Sequence, residues 1–149
     1  MADNQDSTPS AAAPQTHRVF VYGTLRRGFS NHALLERSRF AGEAATLRTY
    51  WMITTGPFPV LFDAVPDDFG VPALAVAGEI YHVDDATLAQ LDRLEREGIA
   101  YDRKVTEVFE AGHKVEAHIY VGVADYWHPR GLPAWTVQNE RDELNWSPS

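Results

Sequence analysis

One acidic side chain sits where the sequence pattern calls for an apolar one. Residues Asp84 to Glu97 read as a helix, with Asp84 as the N-cap and Gly98 after the last turn. Leu88 and Leu91 mark its buried stripe, and Glu95, seven residues after the first and four after the second, falls between them. Asp92 and Leu94 flank the stripe, whereas Gln90, Arg93 and Glu97 face away. A carboxylate aimed at a core is costly unless it is paired or neutralised. Desolvation raises its pKa towards the range useful for proton transfer. The same position allows a plainer outcome, in which Glu95 reaches solvent from the helix end or pairs with Arg103, and structural ion pairs of that kind are the commoner case.

A second candidate is Tyr22-Gly23-Thr24-Leu25-Arg26-Arg27-Gly28, directly after a β-branched and aromatic run. Glycine there permits a sharp turn and close approach of a ligand to the backbone. Successive N–H groups in such a turn can capture a carboxylate. The Thr24 hydroxyl adds a donor, and Arg26 and Arg27 add positive charge. Neither nucleotide-loop pattern, G-x-G-x-x-G or G-x-x-x-x-G-K-[ST], is present. On its own the segment is an ordinary strand-to-loop turn.

Other chemistries find less support. The chain has no cysteine, which removes disulfides, thiolate nucleophiles and Cys-ligated zinc. Its six histidines form no H-E-x-x-H or similar pair, and His113 and His118 fall on opposite sides of a strand. There is no G-x-S-x-G elbow. No metal site and no cofactor are therefore expected. The net charge of −8 argues against nucleic acid as the main partner, and no apolar run approaches a membrane span. The expected setting is a cytoplasmic monomer acting on a small molecule.

The elements that position these residues are short. The expectation is a disordered tail over 1–16, an ordered domain over 17–125 and an aromatic-rich C-terminal extension over 126–149. Arg18–Tyr22 reads as a strand ended by Gly23, and Ser30 or Asn31 can cap a short helix through Leu35. Residues 40–54 look extended, Gly56–Pro59 is a rigid turn, Val60–Phe62 a short strand and 67–70 a loop. Ala73–His82 reads as a central strand. Asp102–Phe109 and His113–Val121 form a hairpin across Ala111-Gly112. In its second strand Val115, Ala117, Ile119 and Val121 face a core, and Lys114, Glu116, His118 and Tyr120 face water or a cavity. A short helix over Pro133–Leu144 completes the reading. Many strands with few helices predict an α+β fold, a small mixed β-barrel or curved sheet with flanking helices.

Taken together, these segments resemble the gamma-glutamylcyclotransferase-like (AIG2-like) superfamily, and its gamma-glutamylamine branch most closely. Tyr22-Gly23-Thr24-Leu25-Arg26 with Gly28 and Asn31 is similar to the family's opening signature. Phe58-Pro59-Val60 and Gly78-Glu79-Ile80-Tyr81 with Val83-Asp84 are similar to its later elements. Leu91-Asp92-Arg93-Leu94-Glu95, with Tyr101 and Arg103 beyond, resembles its catalytic segment, whose glutamate falls four after the leucine and six before the tyrosine. Both counts select Glu95 over Glu97. The resemblance covers about Arg18 to Val121 and leaves the Trp-rich C-terminus unaligned.

What the resemblance implies is a cofactor-free release of 5-oxoproline and a free amine from a gamma-glutamyl substrate. Glu95 would serve as acid/base, Gly23, Thr24 and Leu25 would hold the α-carboxylate, and Tyr22, Tyr101 and Tyr120 would line the site. Three alternatives remain open at this point: a gamma-glutamyl-protected biosynthetic intermediate as substrate, a gamma-glutamyl-lysine or glutathione-like peptide, or a module of the same fold that binds such a metabolite without turnover.

Overall fold

The computed structural model describes residues 16–55, 57–65, 72–127, 132–133 and 143–146. Eight strands, two short helices and a 3₁₀ turn run in the order β1 (Thr16–Val21), the 3₁₀ turn (His32–Leu35), β2 (Arg39–Ala45), β3 (Trp51–Thr54), β4 (Pro59–Phe62), β5 (Ala77–Asp84), α1 (Asp85–Leu94), β6 (Tyr101–Glu110), β7 (His113–Gly122), α2 (Ala124–Trp127) and β8 (Leu132–Pro133). Five strands make a mixed sheet in the order β2-β5-β1-β7-β6, and β4-β3-β8 make a smaller one. Among the described strands, the β1–β7 pairing is parallel and the others are antiparallel. The five-stranded sheet is curved, as the sequence predicts, and it is not closed into a barrel.

Strand alternation divides the interior into two cores. Val19 and Val21 of β1, Val60 and Phe62 of β4, and Tyr120 of β7 pack on one side with Leu88 and Leu91 of α1. Phe20, Leu61, Ile119 and Val121 point the other way, where they meet Tyr50, Leu144 and Trp146. The period of two that separates the faces of β7 in the sequence is thus the boundary between the cores. Tyr120 belongs to the α1 side and is buried, where it meets a cavity and not open water. β5 is an interior strand paired on both sides by β2 and β1, as the sequence predicts, though it runs from Ala77 to Asp84, and β1 lies next to it in the middle of the sheet.

Local chemistry explains the element ends. The Asp84 carboxylate accepts from the Thr87 amide at 2.8 Å and caps α1. That bond holds its pKa below the usual carboxylate value. At the other end the helix stops sooner than Gly98 suggests. The Glu97 amide donates to Asp92 O at 2.9 Å and the Arg96 amide to Arg93 O at 3.2 Å, with Arg96 at φ 51°. These two bonds make a Schellman cap with an arginine in the place glycine usually takes, so Glu95 is the C-cap residue. The β6–β7 hairpin turns through Ala111 and Gly112, both at positive φ, as two-residue hairpins require.

Three other expectations change. Asn31 precedes the 3₁₀ turn but makes no capping bond there, because its amide donates to Thr24 Oγ1 at 2.8 Å. Thr16, expected as the last tail residue, already pairs with Asp84 in β1. The ends of the helix expected over 133–144 are extended: Leu132–Pro133 pairs with β3, and Leu144 bridges Val76. Residues 134–142, the rest of the expected tail and the loop at 67–70 lie outside the described residues.

Candidate active site

A cavity of about 280 Å³ opens between the end of β1, the C-terminal end of α1 and the end of β7 at Tyr120. β1 delivers the chain to it, and Gly23 bends it there. A Cβ on Gly23 would lie 3.0 Å from Pro59 Cδ, so a bare backbone lets the turn press against the start of β4. The turn then closes on itself, with the Arg26 amide donating to Gly23 O at 3.1 Å and the Asn31 amide to Thr24 O at 2.9 Å. Among the described residues, no acceptor takes up the N–H groups of Gly23, Thr24 or Leu25. All three residues line the cavity. Thr24 Oγ1 accepts from Asn31, which leaves its own proton free to donate.

Glu95 faces them from the end of α1. Its side chain is half-buried: it opens onto the cavity and is otherwise surrounded by protein. Desolvation raises its pKa from 4.5 to about 7. The negative end of the α1 dipole acts in the same sense. No cation among the described residues pairs with it. Arg103, the partner the sequence offers, pairs with Asp92 instead, at 3.0 Å. Asp92 also accepts from the Tyr120 hydroxyl at 2.7 Å. The neighbouring Glu97 is exposed and accepts from the Arg103 amide at 3.3 Å, outside the cavity.

Tyr22, Tyr101 and Tyr120 all line the cavity. Each phenol already donates to the protein: Tyr22 to Tyr120 O at 2.6 Å, Tyr101 to Pro59 O at 3.2 Å and Tyr120 to Asp92. Burial first, and then nearby acidic groups, push their pKa values far up. They are fixed, neutral walls. Arg26 and Arg27, which the sequence places near the site as positive charge, both turn away from the cavity. Arg26 runs behind the turn, and Arg27 lies over the Phe40 ring and near Glu79.

No role is assigned from sequence to the residues of the outer wall. Phe58, Tyr126 and Trp127 close it, with Arg96 stacked on Tyr126. Trp127 packs edge-on to Phe58 and donates to Ala100 O at 2.6 Å. Only the density of aromatics after Val123 hints at this role. Among the described residues no three His, Asp or Glu side chains gather as a metal would need, and no helix is long and apolar enough to cross a membrane.

The profile of the family described as "Gamma-glutamyl cyclotransferase, AIG2-like" matches residues 19–140. This chain belongs to that family. The match takes in both the β1 turn and Glu95. A Vibrio cholerae protein provisionally named a gamma-glutamylcyclotransferase is 42% identical over 91 residues, covering 61% of this chain and 72% of its own length. A Methanocaldococcus jannaschii protein, named in the same provisional way, is 36% identical over 105 residues, 68% of this chain and 81% of its own. The crystal structure of an AIG2-like protein from Mus musculus superposes with a TM-score of 0.63 at 26% identity, covering 90% of this chain and 97% of that one. The gamma-glutamylcyclotransferase family therefore supplies both the fold and the kind of enzyme.

Proposed function

We propose that this chain releases 5-oxoproline and a free amine from a gamma-glutamyl amine or amide, with Glu95 as the general acid/base. The observation that carries the reading is one cavity lined both by an unpaired carboxylate with a pKa near 7 and by three residues whose backbone N–H groups are unclaimed.

The substrate's α-carboxylate docks on the N–H groups of Gly23, Thr24 and Leu25, with the Thr24 hydroxyl beside them. Its α-ammonium then faces Glu95. That ammonium must lose a proton before it can attack, and a carboxylate at about 7 is a better base for it than one at the ordinary 4.5. The freed amine attacks the γ-carbonyl carbon and closes a five-membered ring. Glu95, now protonated, gives the proton to the departing nitrogen as the old C–N bond breaks. A carboxylate again, it takes the second proton that the ring nitrogen sheds, and that proton leaves with the product amine as its ammonium. Atoms balance without water or an external nucleophile. The rigid tyrosine walls favour the folded-back conformer this closure needs, and such ordering can supply several kcal/mol. The leaving amine points towards Phe58, Tyr126 and Trp127.

The test is a panel of gamma-glutamyl amines, amino acids and peptides, read by 5-oxoproline formation. Turnover of at least one, abolished by Glu95→Gln, supports the reading. Binding across the panel with no 5-oxoproline would make the protein a metabolite-binding module instead.

A further inference from the structure

Arg26 is almost fully buried, yet it lines the back of the β1 turn and not the cavity. Its guanidinium reaches three oxygens: Nε donates to Gly23 O at 3.2 Å, Nη1 to Asn145 Oδ1 at 3.1 Å and Nη2 to Trp146 O. It also lies 4.4 Å from the centre of the Phe29 ring. The segment it grips is itself anchored. Leu144 exchanges two backbone bonds of 2.8 Å with Ala75 and Ala77, and buried Trp146 donates from Nε1 to Thr54 Oγ1 at 3.3 Å.

The Gly23 carbonyl is thus drawn backwards by both the amide and the side chain of Arg26. In a planar trans peptide the C=O and the following N–H point in opposite directions. Turning Gly23 O towards Arg26 therefore turns the Thr24 N–H towards the cavity. We propose that Arg26 is a positioning residue that ties this turn to the C-terminal segment Glu143–Trp146, so that the end of the chain sets the grip on the substrate's head group. The proposal rests on the reading of the turn as the carboxylate cradle. Lysine cannot replace the arginine, because a point donor does not span three oxygens in one plane.

The test compares Arg26→Lys, Asn145→Ala and the double variant in the full-length chain. An interaction made equally with bound substrate and transition state moves KM and spares kcat. Loss of one charge-assisted bond corresponds to about a ten-fold effect. Arg26→Lys should raise KM about ten-fold with kcat within about two-fold. Asn145→Ala should raise KM less, and the double variant should be no worse than Arg26→Lys, since both act through one network. A second readout needs no substrate: exchange of the Asn31 amide, which bonds Thr24 O, should quicken while amides in β1 keep their protection. Unchanged KM and unchanged Asn31 exchange in a folded Arg26→Lys protein would overturn the proposal, and so would a uniform rise in exchange across the sheet. Absence of 5-oxoproline release by the wild type would instead overturn the proposed function, and the exchange data would still decide whether the tie exists.

Discussion

Two glutamates lie within the same small protein on opposite sides of one turn, and their surroundings could hardly differ more. Glu79, on β5 behind the turn, accepts from the Arg27 amide at 2.9 Å and the Tyr81 hydroxyl at 3.0 Å, with the Arg27 guanidinium 3.6 Å away. Glu95, in front of it, has none of these. A buried carboxylate with donors on its oxygens is a structural joint. One without them stays close to neutrality, which is costly for the fold and useful for moving protons. Glu79 is the more buried of the two, yet it is the one with partners; the partners, not the burial, separate their roles.

The comparison breaks most sharply by mutation. Glu95→Gln should lower 5-oxoproline release by ~10²–10⁴-fold, the usual worth of a general acid/base, while calorimetry finds the gamma-glutamyl ligand still bound. Glu79→Gln should leave kcat within a few-fold and lower the unfolding free energy by about 1.5–3 kcal/mol, the range for hydrogen bonds to a charged group. Denaturant melts check the second, and an inactive but fully stable Glu79→Gln protein would reverse the two roles.

The next effect depends on pH. Glu95 has a folded pKa of about 7 against 4.5 when unfolded, so the folded state holds its proton more tightly. Its favourable contribution is intact below pH 4.5 and is lost as pH rises through 7. Glu95→Gln removes that loss. The variant should therefore gain about 3 kcal/mol on the wild type between pH 4 and pH 8, as chemical denaturation at the two pH values would show. The smallest effect should be Glu97→Gln: an exposed side chain outside the cavity, expected within about 0.5 kcal/mol in stability and two-fold in rate.

Much of this arrangement is legible in the residues. The α1 stripe singles out Glu95 because Leu88 and Leu91 are local in sequence. The Asp84 cap and the Ala111-Gly112 turn are equally local, and each forms where its residue types allow. What stays hidden depends on distant pairing. Asp92 takes Arg103 away from Glu95 because β6 runs past α1, and no spacing within the helix predicts that. The end of α1 is misread because Arg96 adopts the left-handed conformation that glycine normally signals. Trp127 and Trp146 read as a featureless aromatic tail, yet one closes the cavity and the other fills the second core. Their places are set by β3, β4 and β5, dozens of residues upstream.

The most direct test is a carbon-detected titration of the Glu95 carboxyl group in the folded protein. A midpoint near 7, matched by the acid limb of kcat/KM, is the predicted result. A midpoint at the ordinary value of 4.5, with a pH–rate profile indifferent to it, would contradict the account.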